Sequence, residues 1–431
     1  MLKNWSRIAL ASFLVLMIGT SAAFATTARV RSLANTGDYI SDDSAVNRWY
    51  STLTSFGNQV NAEMGVWDGG DLTDTRGLSW INACGEDGKW GTYRISLNEN
   101  AIDHPGFWMG NPFYSVHAPG FSSVDFGDPT GGVFAETPMN KWDLAGGWEI
   151  GEAMALGLSF THSKWNAEDT ATDAEVSNSY ITIGVGFTWT NNDNMVFDAS
   201  ATFGSAGGDA TLGTTTVEWD SGTAFDIAAR LFYDWKDNVT LVPVAEFASS
   251  EYSLSFTPEP PGPILEPNGN QITDFMIGVG LNMDVNQDNM LVFALEYMNR
   301  EWEYANPDTA AAGLKSTTWQ YMPTVRLALE TEITSWLTTR VGAAKYLGSI
   351  EDETNGGDTF KETPGTPTAV GGSDLPSFDW FLGCGFNVAE WTIDLELASE
   401  TPFNVGYWLT GYSNYSTGSG PVTHIAAVWN Y

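Results

Sequence analysis

The chain has little cysteine, histidine or positive charge, and after its first 25 residues it has no long apolar run. Two cysteines in 431 residues, Cys84 and Cys384, exclude a disulfide framework. Cys384 reads as a small apolar residue on a strand face. Four histidines, at 104, 117, 162 and 424, leave little material for acid–base chemistry. Lys and Arg number 18 against 53 Asp and Glu, a net charge of −35, which argues against nucleic acid or anionic lipid as partners. The missing apolar run excludes a helical membrane span beyond residue 25. No Pro/Ser linker divides the chain, so it reads as one large closed sheet rather than several soluble domains.

The beginning of the chain carries a different signal. Lys3 and Arg7 form a positive region, Ile8 to Thr20 an apolar core, and Ala23-Phe24-Ala25 an A-x-A cleavage site. Residues 1–25 are therefore expected to be a secretory signal peptide, with the mature chain starting at Thr26. No cysteine follows the site, so a lipid anchor is not expected. Without Lys3 and Arg7 the balance is 16 basic against 53 acidic residues, or −37.

From Asn58 onward the sequence alternates polar and apolar positions. Tyr180–Thr190, Thr223–Trp235 and Asp274–Val285 each end in an Asn/Asp-rich turn and return as a second alternating segment. Such clusters tolerate the positive φ of tight hairpins. Similar turns fall at 331–335, 387–390, 149–152 and 85–89, seven in all. Eight longer polar or Gly/Pro-rich connections lie between them, at 67–76, 98–140, 163–178, 205–221, 251–271, 304–316, 348–376 and 400–420. Short turns at one end and long loops at the other predict an all-β transmembrane antiparallel β-barrel of 16 strands, with 14 as the alternative. Trp90, Trp148, Trp189, Trp235, Trp336 and Trp391 each lie within one or two residues of a short turn, where Trp suits a membrane–water boundary. The final segment, Pro421–Tyr431, alternates and ends on an aromatic residue. It resembles the terminal strand of bacterial outer membrane barrels, which implies recognition by the outer membrane assembly machinery.

Cost sets the register. Arg on the lipid face costs about 2–4 kcal/mol at the midplane, so the charged set of each strand must face inward. That assigns Arg94, Asp198, Asp226, Arg230, Glu246, Glu296, Arg300, Arg326, Glu330, Arg340, Asp394 and Glu396 to the lumen as pore-lining residues. Phe293, Leu295, Val325, Leu327, Ile393 and Leu395 then face lipid. Facing charges of both signs can select solutes or simply pair across the lumen. If they select, Arg230→Leu and Arg326→Leu should change ion selectivity without abolishing insertion.

Residues 26–57 differ from the rest. Ser41 followed by two acids is a helix start, with a short helix expected over Ala45 to Leu53. Ala28-Arg29, Ser32-Leu33, Gly37 and Asp42-Asp43-Ser44-Ala45 match the start of the FadL-like and PorV-type outer membrane family, which this segment loosely resembles. The family's N-P-A element is absent, since Asn47 is followed by Arg48-Trp49-Tyr50. The resemblance implies that residues 26–57 enter the lumen as a plug and residues 58–431 form the barrel.

No catalytic residue and no metal ligand is expected. Asp103-His104 resembles an omptin-type pair but has no second acidic pair to work with, and His424 falls on the lumenal face of the last strand. The acidic loops Glu168–Glu175 and Glu351–Asp358 offer Ca2+ a place, although no spacing matches an EF-hand; no other cofactor is expected. Partners are outer membrane lipid and small solutes, with a homo-oligomer left open. The functional expectation is a porin-like channel for passive diffusion of small cationic or neutral solutes. A FadL-like transporter of hydrophobic compounds and a secretion-associated scaffold with a blocked lumen are the alternatives.

Overall fold

The computed structural model describes residues 26–65, 75–85, 89–99, 140–169, 174–191, 194–212, 215–257, 270–305, 314–354, 359–362, 378–397 and 422–431. After the N-terminal segment come β1 Gln59–Gly65, β2 Thr75–Ala83, β3 Thr92–Glu99, β4 Asn140–Ile150, β5 Met154–Asp169 and β6 Ala174–Asn191. They are followed by β7 Met195–Leu212, β8 Thr215–Lys236, β9 Val239–Thr257, β10 Asn270–Asn286, β11 Asn289–Ala305 and β12 Leu314–Thr334. The chain ends with β13 Leu337–Thr354, β14 Thr359–Glu362, β15 Phe378–Val388, β16 Trp391–Leu397 and β17 Val422–Asn430.

Each strand pairs antiparallel with its neighbour, β13 pairs directly with β15, and β17 returns to β1. Sixteen strands therefore close the ring, and β14 adds a short ladder to the far end of β13 only. The closing register runs from Gln59 opposite Asn430 to Gly65 opposite His424. Closure leaves the wall no free edge.

Alternation explains why these strands form a wall. In β8, Phe225 and Ile227 are exposed on the outside, whereas Asp226, Ala228 and Arg230 are buried inside. Leu295 and Leu327 are likewise exposed and Glu296 and Arg326 buried. A belt of exposed Leu, Ile, Val and Phe on a closed barrel is a lipid-facing surface, since water would not tolerate a patch of that extent. The last strand follows the same rule, with Ile425 and Trp429 outward and His424 buried inward.

Several expectations change. The connections expected at 163–178 and 205–221 are largely strand: β5 and β6 stay paired out to Asp169 and Ala174, and β7 and β8 out to Leu212 and Thr215. Alternation continues through them, Gly208, Ala210 and Leu212 pairing with Trp219, Val217 and Thr215 while Asp209 and Thr211 pair with Glu218 and Thr216. Their Gly, Asn, Asp, Ser and Thr content nevertheless reads as loop. At 22 residues, β8 is roughly twice the 9–11 residues that cross a bilayer. The turn expected at 331–335 lies instead at Ser335-Trp336, between β12 and β13. Residues 100–139, with Asp103, His104 and His117, and residues 170–173 and 355–358 of the acidic stretches lie outside the described residues. Glu168, Asp169, Glu175 and Glu351–Glu353 stand on β5, β6 and β13.

The N-terminal segment is a helix, α1 Thr27–Ser32, and two 3-10 turns, Asp43–Asn47 and Tyr50–Ser55. The single helix expected over Ala45–Leu53 is broken at Arg48-Trp49. Asp42, not Ser41, caps the first turn, its side chain accepting from the Ala45 N–H at 3.2 Å. At the break Arg48 reaches across to Asp226 of β8 and Glu246 of β9.

Candidate functional site: the filled lumen

Residues 26–57 lie inside the barrel and meet the wall on all sides. From Thr26 to Tyr50 nearly every residue is buried, Ser41 being exposed. The α1 helix lies against β13, β15, β16 and β17. Arg29 binds Glu330 of β12 through Nε and Nη2 at 2.7 and 2.8 Å, and Arg31 binds Glu396 of β16 at 2.8 Å. The second 3-10 turn lies against β3, β4, β5 and β6. There Ser51 is 2.8 Å from Thr188 and Tyr50 is 2.8 Å from Thr202.

Between these ends the chain is clamped by charge. Arg48 donates to Asp226 at 3.0 Å and to Glu246 at 2.7 Å, with all three side chains 1% exposed. Burial alone would disfavour the Arg48 charge, but the two carboxylates outweigh it and hold the guanidinium above its ordinary value. Arg230 binds Asp198 at 2.9 Å and points Nη1 at the carbonyls of Gly37, Asp38 and Ile40, 3.3 to 3.4 Å away. Its guanidinium lies 4.5 Å from the Trp49 ring centre, a cation–π distance. Arg326 joins Glu296 at 2.9 Å and the Ala34 carbonyl at 2.8 Å. Such pairs stand in a low dielectric only because each charge has its partner.

An apolar seat lies beside the clamp. Val30, Leu33, Tyr39 and Ile40 pack on Val242, Val244, Met276, Val292, Ala294 and Ala328 from β9 to β12. Tyr39 fits because Gly278 and Gly280 face it; a Cβ on either would fall inside its side chain. Asn282 donates to the Tyr39 carbonyl.

Acid accumulates around Asp43. Burial, then the neighbouring Asp42, Glu63 and Asp394, pushes its carboxyl well above the usual carboxylate range. Asp43 Oδ2 accepts from Gln59 at 3.1 Å, while Oδ1 has no hydrogen-bond partner among the described residues.

No family model and no curated sequence matches the chain. Among solved structures the chain is similar to the Pseudomonas putida toluene transporter TodX, at 11% identity over 94% of this chain and 96% of that one, with a TM-score of 0.39. It is similar as well to the ferric-catecholate import receptor Fiu of Escherichia coli K12 (10%, 86% and 81%, TM-score 0.35) and to the alcaligin outer membrane receptor FauA of Bordetella pertussis (8%, 86% and 75%, TM-score 0.40). The likeness is one of barrel architecture.

All twelve residues assigned to the lumen stand on the inner face. Asp226, Arg230, Glu246, Arg326, Glu330 and Glu396 hold the N-terminal segment directly, Arg94 meets Asn47, and Asp394 accepts from Thr26. Asp198, Glu296 and Arg340 pair with these wall charges, and Arg300 binds Asp274 at 2.6 Å. The six tryptophans all stand at the turn end of the barrel, Trp90, Trp235 and Trp336 more than half exposed. Trp391 stacks on Trp429 with ring centres 5.9 Å apart. Sequence reasoning missed the segment's own cations, Arg29, Arg31 and Arg48, because a single Arg in an irregular stretch has no periodic signature. It also missed the inward acids Glu63, Asp143 and Asp274, although alternation within β1, β4 and β10 places all three on the buried face.

Arg230→Leu tests the clamp. It leaves Asp198 buried without its partner and frees three carbonyls of the segment, so bilayer current should rise and the reversal potential should shift. Unchanged current and reversal potential would mean that Arg230 does not hold the segment.

Proposed function

We propose that the chain is a bacterial outer membrane transport barrel that rests closed, its lumen filled at the turn end by residues 26–57. Small solutes pass by diffusion when that segment moves. The observation that carries this reading is the burial of residues 26–50 together with ion pairs and packing that reach wall strands right round the ring. An always-open pore would leave its lining in water. Support for the location comes from the lipid-facing belt and the leader-like residues 1–25. On this reading the short turns face the periplasm. The acid excess of the sequence favours cations over anions at the mouth of the opened barrel.

Planar bilayers test it. The chain starting at Thr26 should be silent or nearly so, and a variant lacking residues 26–57 should give stable ohmic conductance with a cation preference. A large steady current from the intact chain would overturn the closed resting state. Silence of the deletion variant, once its barrel is shown to be folded, would favour a scaffold with a blocked lumen. The resemblance of residues 28–45 to the FadL-like start supports a second reading, in which the solutes are hydrophobic; uptake of an apolar dye into vesicles by the intact chain would select it.

A further inference from the structure

Thr26 has no exposed surface. Its hydroxyl donates to Asp394 Oδ2 at 2.9 Å, and the next N–H, that of Thr27, donates to Glu63 Oε1 at 3.2 Å. The charges that face this corner come from six elements. The segment brings Asp42, Asp43 and Arg29; β1 brings Glu63 and β12 Glu330. Arg340 comes from β13, Asp394 from β16 and His424 from β17. Both guanidiniums are already engaged: Arg29 and Arg340 share Glu330 at 2.7 and 2.6 Å, and Arg340 also binds Asp394 at 2.6 Å. Arg29 stands 3.9 Å from Asp42, and His424 Nε2 4.0 Å from Glu63. The adjacent Arg31 and Glu396 satisfy each other.

Five carboxyls thus meet two guanidiniums and one imidazole, and among the described residues no basic side chain pairs with Asp43. Its Oδ1 is buried without a donor. A buried carboxylate in that position is costly unless a cation joins it. The sequence places the A-x-A motif at residues 23–25, so the bond that a leader peptidase would cut ends at this same residue.

We propose that hydrolysis of the Ala25–Thr26 bond creates the missing cation, and that the new α-ammonium of Thr26, set among Asp43, Glu63 and Asp394, locks the N-terminal segment in the lumen. In the step water adds across the peptide bond. Ala25 leaves with the leader as a carboxylate, and the Thr26 amine takes up a proton. Leader removal would then be the event that seats the plug, and a chain with extra residues before Thr26 would hold it loosely.

The sign of the pH dependence follows. An ammonium held by acids has its pKa raised above the ordinary α-amino value of about 7.7–8.0. Its stabilisation is complete below that range and is lost as pH rises through the raised value. The readout is tryptic cleavage after Arg48, which requires the segment to leave the lumen and does not depend on transport. Mass spectrometry of the native protein should find Thr26 first with a free α-amine; another start, or an acylated Thr26, overturns the proposal. A chain refolded with Gly-Ser before Thr26 should be cut at least tenfold faster at pH 7.5. In an Asp43→Asn, Glu63→Gln background the same extension should change the rate less than twofold. Cleavage of the unextended chain should accelerate as pH rises above about 8, and that of the extended chain should not. Equal effects of the extension in both backgrounds would mean that it acts by bulk alone and would overturn the lock. So would pH profiles that coincide, and the unextended profile needs no variant.

Discussion

Arg48→Ala should turn a silent barrel into one that opens repeatedly, with the open probability in planar bilayers rising by two to three powers of ten. The substitution strands two carboxylates, Asp226 and Glu246, each 1% exposed at the side chain. Removing one partner from a buried ion pair costs about 3–5 kcal/mol, and each 1.4 kcal/mol is about tenfold in an equilibrium. The loss falls on the seated state, because a departed segment leaves both acids in water whichever residue stands at 48. Opening should nevertheless be partial. Val30, Leu33, Tyr39 and Ile40 stay in their apolar seat, and at about 1.5–3 kcal/mol for each fully buried side chain that seat outweighs one lost guanidinium. The current per opening should therefore stay below that of the variant lacking residues 26–57. Adding Asp226→Asn and Glu246→Gln to Arg48→Ala should restore much of the closure, since neutral amides tolerate burial better than unpaired charge. If Arg48→Ala stays as silent as the parent chain, the Arg48 clamp does not decide closure.

Much of this molecule was legible because its wall is periodic. The alternation of Asp226, Ala228 and Arg230 with Phe225, Ile227 and Ala229 gives one face to each solvent, and a one-residue slip would put Arg230 in lipid. Asn/Asp turns mark one end of the hairpins, and an even strand count brings both ends of the wall to that side, where β1 and β17 pair. Strand lengths were less legible. In the far halves of β5 to β8 the alternation goes on, with Trp165, Val176, Val217 and Trp219 between polar neighbours. Gly, Asn, Asp, Ser and Thr dilute it, so these stretches resemble loops although the ladder continues. The contents of the lumen were least legible of all. Arg48 meets Asp226 and Glu246 across 178 and 198 residues of chain, and no spacing rule encodes such partners. Only the resemblance of residues 28–45 to a plug-forming family pointed inward. Cost puts the charged set on the inner face of the wall, but cost cannot tell a residue that lines water from one that grips a segment.

Gly157→Ala, a single added methyl group, should release the other half of the segment. Gly157 of β5 stands opposite Gly186 of β6, and the pair faces Tyr50 and Ser51. A Cβ at 157 would fall on the Tyr50 carbonyl and the Ser51 nitrogen, and one at 186 would stand 2.7 Å from that same nitrogen. These are backbone atoms, so no rotamer change relieves the clash and the 3-10 turn must back away. Retreat breaks the Ser51–Thr188 and Tyr50–Thr202 hydrogen bonds, both 2.8 Å. Overpacking of this kind costs about 1–3 kcal/mol, and each hydrogen bond about 1 kcal/mol. The wall itself gains slightly, because Ala in a strand is favoured over Gly by about 0.5–1 kcal/mol. That gain is common to the filled and the empty barrel, so only the strain and the lost hydrogen bonds shift the balance between them. Bilayer current and tryptic cleavage after Arg48 should both rise by about two to three powers of ten, while the heat-resistant mobility of the folded barrel is kept. Gly207→Ala supplies the control, since a Cβ there meets nothing within 4 Å, and it should leave current and cleavage unchanged. If Gly157→Ala behaved like Gly207→Ala, the close approach of Tyr50 and Ser51 to β5 and β6 would have no part in keeping the lumen shut. A larger effect at Gly157 than at Arg48 would place the weaker half of the plug at Tyr50–Ser55, away from the apolar seat that holds its first half.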